Sequence, residues 1–431
     1  MHHEQMQAAR AVTRVLEGAQ LRTALAEVDD GDASRGHTLV QELAYGTLRH
    51  LGRLEAIAGY LVRKPMPDAL LRALVDVALY QLEETRAPAF AVVDRAVVAA
   101  GTLVRPEAKP LVNALLRRYL RERQAVHAAV RGDEVARWSY PQWWIDRVRR
   151  DHPEDWVAIL EAGNARPPLT LRVNRAVMER DALLEAFASA GIAARPAGAA
   201  GVIVAEPRPV TDLPGFAAGA FAVQDLGAQL AAPLLAATDG MRVLDACAAP
   251  GGKTAHILAE SDVDVIALDI DAERLDRVRD NLVRLRVADR RVRVVHGDAG
   301  RPDAWWDRRS FDRILLDVPC TASGVVRRHP DGKWRHRASD VERFAREQAR
   351  LLEAAWPLLA PGGKLLYATC SVFAAENGDR IDAFLDRHPD ALRESLTLGD
   401  DVERRDGQLL PWSSGAGHNQ DGFFYALVAR R

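Results

Sequence analysis

The stretch VLDACAAPGGKT, Val243 to Thr254, joins a short apolar run to a glycine pair and the start of a helical pattern. So short a run, with no polar alternation, reads as a strand buried on both faces. Gly251 and Gly252 allow a tight turn and let backbone N–H groups approach a ligand closely. The N-terminus of the helix that follows favours negative charge. The same texture repeats in MRVLDAC, DVIALDI, VRVVHGD, DRILLDV and GKLLYATC, each separated from the next by an amphipathic stretch. Strands that alternate with helices imply βαβ units and a doubly wound parallel sheet. Ligands of such sheets lie at the carboxyl ends of the strands.

Upstream of this block the pattern changes twice. LTLRVN, the helical DALLEAFASAG, GVIVA and AFAVQD describe a small α+β unit, with the Trp- and Pro-rich WSYPQWWIDRVRRDHPEDW as a connector packed on its neighbours. Before it the spacing is helical: AVTRVLEGAQLRTALAEV sets Val12, Val15, Leu16, Leu21 and Leu25 at helical intervals, and ALLRALVDVALYQLEET and AKPLVNALLRRYLRER continue the pattern. The expected organisation is multidomain. An all-α domain spans 1–135, a small α+β domain 136–225 and a doubly wound α/β domain 226–431.

Composition limits the function. With 48% hydrophobic and 27% charged residues the chain is of ordinary soluble type. No apolar run is long enough to cross a bilayer, and MHHEQMQAAR lacks a signal-peptide pattern, so a cytoplasmic protein without a membrane partner is expected. The only cysteines are Cys247, Cys320 and Cys370, without a C-x-x-C pair, which argues against a disulfide framework or a zinc site. A net charge of −2 argues against a nonspecific nucleic-acid coat but leaves room for local basic patches.

Acidic residues close three of the strands. Asp269 ends DVIALD at the place where dinucleotide folds hold ribose hydroxyls. Asp298 ends VRVVHGD, in reach of an adenine edge. The GGKT tail looks like half a P-loop, but Cys247 stands where that motif needs glycine and Pro250 interrupts it. A nucleoside-bearing cofactor therefore ranks above a nucleoside triphosphate.

LLDVPCTASGVVRRHPDGKW ends the fourth strand with Asp317 and Cys320, and LLYATCSV ends the fifth with Cys370. Two thiols at adjacent strand ends above a cofactor loop suit nucleophilic chemistry. Methylation of a pyrimidine ring carbon needs it. Carbon 5 of cytosine is too poor a nucleophile to attack a sulfonium methyl until a thiolate adds at carbon 6. Asp317 could hold the ring while charge develops. The next residues bring Arg327, Arg328, Lys333, Arg335 and Arg337 into one run, either a solvated loop or a grip on RNA phosphate. Arg117 and Arg118, near a helix end, allow the same two readings.

DACAAPGGKT, LDVPCTASGVVRRHPDGKW and YATCSVFAAENG together resemble the RsmB/Sun branch of RNA cytosine-5 methyltransferases. YGTLRHLGRLEA and LVNALLRR resemble, more loosely, the NusB-like RNA-binding domain fused in that branch. The resemblance spans nearly the whole chain. It implies a class I methyltransferase fold and S-adenosylmethionine as cofactor. Cys247, Ala248, Ala249, Pro250, Gly251, Gly252, Lys253, Asp269, Asp298 and Asp317 would hold it. It makes Cys370 the nucleophile and Cys320 the helper in proton removal or product release, roles that the thiol chemistry alone leaves open. Cys247 would be a loop residue. Val318 departs from the alanine common in the family. The implied substrate is small-subunit ribosomal RNA, methylated by a monomer before assembly. A noncatalytic NusB-like RNA-binding or antitermination factor is the alternative.

Overall fold

The computed structural model describes residues 2–29, 35–62, 64–396, 404–405, 407–412 and 419–431. Among them, the first 165 residues form helices alone: α1 (His2–Leu16), α2 (Leu21–Val28), α3 (Arg35–Leu61), α4 (Ala69–Glu84), α5 (Ala89–Leu103), α6 (Ala108–Val130), α7 (Glu134–Trp138), α8 (Gln142–Asp151) and α9 (Trp156–Asn164). Asp68 and Asp133 cap α4 and α7 by accepting from Leu71 N at 2.8 Å and Ala136 N at 3.1 Å. The apolar positions picked out by spacing, Val12, Val15, Leu21 and Leu25 among them, lie in one continuous core.

One feature of this unit differs from the expectation. The supposed connector forms α8 and leads into α9, because Trp144, Ile145 and Val148 make a buried helical face and Pro141 sits at the helix start, where proline is tolerated. The chain packs into two compact units. The helical unit takes residues 1–165 and 326–338; the other takes 166–325 and 339–431. The basic run thus folds with the helices.

The second unit opens with β1 (Leu169–Val173), α10 (Arg180–Ser189), β2 (Ala194–Ala197), β3 (Gly201–Val204) and β4 (Phe221–Val223). They form an antiparallel sheet of order β2-β3-β1-β4. β2 went unread because it contains Pro196, which an edge strand accommodates. The remaining elements are α11 (Ala231–Leu235), β5 (Arg242–Ala246), α12 (Gly252–Glu260), β6 (Asp264–Asp269), α13 (Ala272–Arg284), β7 (Val292–His296), β8 (Phe311–Asp317), α14 (Gly332–Arg335, in the helical unit), α15 (Ala338–Ala355), β9 (Leu359–Thr369), α16 (Gly378–Leu385), β10 (Ala391–Glu394), β11 (Arg404–Arg405), β12 (Gln408–Leu409) and β13 (Phe423–Arg430).

The large sheet runs β11-β12-β13-β9-β8-β5-β6-β7, with β10 also paired to β13. Strands β5 to β9 are parallel and were all visible in the sequence. Their unbroken hydrophobicity has the expected cause. Leu244, Ile266, Leu316 and Tyr367 fill the core on one face, and Val243, Val265, Leu315 and Leu366 fill the core on the other. The sheet is mixed, because β13 runs antiparallel along β9.

Candidate active site

The loop after β5 carries the cofactor motif. Cys247 and Gly251 both adopt positive φ, 64° and 90°. A Cβ on Gly251 would also lie 3.0 Å from Val278 of α13, so that position requires glycine on two counts. Asp269, at the end of β6, is tied to this loop. Its Oδ2 accepts from Ala249 N at 2.9 Å and its Oδ1 from Asp271 N at 3.0 Å. Arg274 and Asn281 on α13 brace the loop by donating to the carbonyls of Ala249 (2.7 Å) and Pro250 (2.9 Å). Asp298, at the end of β7, accepts from Gly300 N at 2.8 Å and from both terminal nitrogens of Arg350 at 3.0 and 3.2 Å. Burial works against its charge, but those contacts hold its pKa below the usual carboxylate value.

Asp245, beneath the loop, is fully buried. Its Oδ2 accepts from Thr254 Oγ1 at 2.6 Å, while Oδ1 has no partner among the described residues. Burial pushes it up to about 7, and the charges of Asp317 and Asp269 add to that. Asp269, Asp298 and Asp317 thus line the carboxyl edge of three parallel strands, with the buried Asp245 beneath them. A cofactor that carries a sulfonium and an ammonium suits that edge. Ile270, directly after Asp269, is apolar and exposed, as the face of an adenine ring needs.

The thiols lie on the neighbouring strands. Asp317 of β8 is in register with Ala368 of β9, which places Cys320 and Cys370 just beyond the paired ends. Their sulfurs are 3.4 Å apart, and both cysteines are free. Lys253 Nζ is 2.6 Å from Asp317 Oδ2. Burial alone would lower the Lys253 pKa, but the charges of Asp317, Cys370 and Asp245 hold it above normal. Cys320 has the opposite surroundings. The hydrogen bond with Cys370, burial and the charge of Glu376 together raise its pKa well above the ordinary thiol value. Burial and three carboxylates likewise keep the Cys247 thiol neutral. A charge on Cys370 thus helps to hold Lys253 protonated, whereas Glu376 opposes a charge on Cys320.

Glu376 was absent from the sequence reading. It is fully buried and binds both thiol loops. Its carboxylate accepts from Thr321 N (2.8 Å), Thr321 Oγ1 (2.6 Å), Ser371 Oγ (2.5 Å) and Gln348 Nε2 (3.3 Å). Gln348 also donates to the Pro319 carbonyl at 2.9 Å, and Gly324 N donates to the Cys370 carbonyl at 2.9 Å. Residues 319–324 and 370–371 are therefore one hydrogen-bonded assembly. One signal was available: Gln348 sits on the buried stripe of α15 among Val341, Ala345, Leu352 and Ala355, where a polar residue needs a partner.

The residues read as RNA contacts need correction in part. Arg327 and Lys333 are fully buried in the helical unit. Lys333 Nζ donates to the carbonyls of Arg49 and Ser139 and to Asn164 Oδ1, each at 2.8 Å, which uses all three of its hydrogens. It joins helical segments and has no hydrogen left for phosphate. Arg335 is half-buried and binds Asp331 Oδ2 at 3.2 Å, Arg328 is half-buried, and Arg337 is exposed. Arg118 donates to the Leu61 carbonyl and to Glu122, both at 2.9 Å, and Arg117 to Asn113 Oδ1 at 2.9 Å.

This sheet, with a glycine loop after its first parallel strand and acidic residues on the next strand ends, defines a class I S-adenosylmethionine-dependent methyltransferase. Residues 232–429 match the family described as 16S rRNA methyltransferase RsmB/F, residues 140–211 its ferredoxin-like domain, and residues 2–121 the NusB family. The ribosomal RNA small subunit methyltransferase B of Pseudomonas putida is 45% identical, covering 98% of this chain and 97% of its own. That of Vibrio vulnificus is 42% identical over 96% of each. The crystal structure of a methyltransferase homolog from Pyrococcus horikoshii is 28% identical with a TM-score of 0.59, covering 69% of this chain and 98% of that one. The chain belongs to the RsmB family of ribosomal RNA small-subunit methyltransferases, and its cofactor is S-adenosylmethionine. Among the described residues no helix is long and apolar enough to cross a membrane.

Proposed function

We propose that this protein methylates carbon 5 of a cytosine in small-subunit ribosomal RNA through a transient bond between Cys370 Sγ and carbon 6 of the base. The observation that carries the reading is the thiol pair, 3.4 Å apart beside the Lys253–Asp317 ion pair. S-adenosylmethionine supplies the methyl group. Cys370 adds to carbon 6 as the thiolate, stabilised by Lys253, and makes carbon 5 nucleophilic. Asp317 holds the ring's N–H edge as charge builds. Bonding of Cys370 to carbon 6 removes the neighbouring sulfur charge and hydrogen bond that hold Cys320 neutral, so Cys320 gives its proton to solvent; after methyl transfer the Cys320 thiolate takes the proton from carbon 5, the ring double bond re-forms, and Cys370 leaves as thiolate. The raised pKa of Cys320 in the free site favours Cys370 as the sulfur that attacks first.

The substrate would be the RNA before subunit assembly, and the enzyme a cytoplasmic monomer. Unmodified small-subunit RNA, alone or in assembled subunits, is incubated with the protein and labelled cofactor and then treated with bisulfite. A single protected cytosine in the free RNA is expected. Label at a nitrogen or ribose position would overturn the reading.

A further inference from the structure

The helical unit holds a cavity of about 400 Å³ between α3 and α4, with Glu55 on the first helix and Asp76 on the second. That volume is in the range of small-molecule pockets. Asp76 is only 2% exposed, yet among the described residues no N–H or O–H donates to it or to Glu55. A buried carboxyl without a donor is costly, and evolution normally fills such a position with an apolar residue or pairs it. Arg72, whose charge acts on both carboxyls, spends Nη1 on the Met66 carbonyl at 3.0 Å. The walls include Ala58, Val62 and Met66, and Lys64 lies at the rim. Gly59 faces the space, since a Cβ there meets nothing within 4 Å.

We propose that this cavity binds an unstacked guanine base of RNA. Guanine carries three N–H hydrogens on one edge, one on N1 and two on N2, and two carboxyls with no donor of their own can receive them. Apolar walls suit the flat faces, and splayed-out bases are commonly read this way in single-stranded RNA. An arginine side chain from a protein partner offers a similar donor fork, but it would bring a third positive charge beside Arg72 and Lys64. Guanine is neutral, and it leaves those two cations for phosphate. RNA as ligand class rests on the function proposed above; the pocket itself does not touch the methyl-transfer chemistry.

The test uses the full chain and guanosine 5′-monophosphate, with inosine, adenosine and cytidine monophosphates and arginine amide as competitors. Guanosine monophosphate binds, and the inosine compound, which lacks the N2 amine, binds at least tenfold more weakly. Gly59→Leu fills the open space in a helix that gains propensity, and Asp76→Asn turns a donor toward donors; each removes the binding. Equal affinity for guanosine and inosine, unchanged binding in Gly59→Leu, or binding of arginine amide alone overturns the proposal, the last in favour of a protein partner. Methylation of ribosomal RNA by the wild type is measured alongside. If it persists while no guanosine monophosphate binds, the pocket proposal fails and the methyltransferase reading stands.

Discussion

The Glu376 carboxylate accepts both the backbone N–H of Thr321 and its hydroxyl, at 2.8 and 2.6 Å. One buried acid thereby joins the loop of Cys320 to the loop of Cys370, because Ser371 binds the same carboxylate at 2.5 Å.

Glu376→Gln should uncouple the two thiols. Four donors point at the carboxylate, and an amide would turn two donors of its own among them. Losing charge-assisted bonds in a buried site costs roughly 1.5–3 kcal/mol each. We expect single-turnover methylation to slow tenfold or more while affinity for S-adenosylhomocysteine stays within a factor of two or so, because the cofactor loop lies on other strands. Equal losses in both would reduce Glu376 to a general stabiliser of the unit.

Asp269→Ala should weaken cofactor binding by one to two orders of magnitude, from a charge-assisted bond worth roughly 1.5–3 kcal/mol. Its carboxylate also holds Ala249 N, so the loop loses an anchor together with the proposed ribose contact. Calorimetry with S-adenosylhomocysteine decides this; unchanged affinity in a folded protein moves the ribose elsewhere.

Lys333→Ala should unfold the helical unit more readily and leave the electrostatics of RNA binding alone. Three oxygens, on Arg49, Ser139 and Asn164, lose their donor at a cost of about 3 kcal/mol or more. A melting point lower by several degrees is expected, with no change in the salt dependence of RNA binding. A normal melting point with a slope reduced by nearly one unit would restore the phosphate-contact role.

Asp245 should make stability depend on pH. Its folded pKa is pushed from 3.8 to about 7 by burial. The folded state therefore holds a proton that the unfolded state has lost between those values. Stability contributed by this group falls as pH rises from about 4 to 7, at up to roughly 1.4 kcal/mol per unit, and levels off above. Asp245→Asn should flatten that decline in a melting series. An identical decline in the variant assigns it to other groups.

The parallel strands were legible because burial on both faces leaves runs such as VLDA and ILLDV without polar alternation. The edge was not. β13 has a similar texture, but no crossover helix pattern ties it to the sheet, and only three-dimensional pairing shows that it runs antiparallel along β9. The positions of the thiols and strand-end acids were legible because each follows a parallel strand and so falls at one edge of the sheet. Glu376 was not, because its role comes from partners 55 and 28 residues away, Thr321 and Gln348. The run RRHPDGKW misled for a related reason. Charge in sequence suggests solvent, whereas Lys333 finds three backbone and amide oxygens inside the helical unit.

The thiol pair yields the most discriminating prediction. In the free site the bond with Cys370, burial and the Glu376 charge oppose a thiolate at Cys320, and the first of these ends once Cys370 is bonded to carbon 6. Cys370 should attack carbon 6, and Cys320 should resolve the adduct. Cys370→Ala then binds RNA reversibly and transfers no methyl group. Cys320→Ala still attacks and transfers, but it lacks the acceptor for the carbon 5 proton, so the ring cannot expel the sulfur. It should accumulate a protein–RNA species that survives denaturing electrophoresis, in amounts that require S-adenosylmethionine. Loss of activity alone would separate nothing, since either thiol could fail for many reasons. A trapped species in Cys370→Ala and none in Cys320→Ala reverses the roles. Normal methylation by both variants would mean that the 3.4 Å contact is packing and that carbon 5 is activated without a covalent bond.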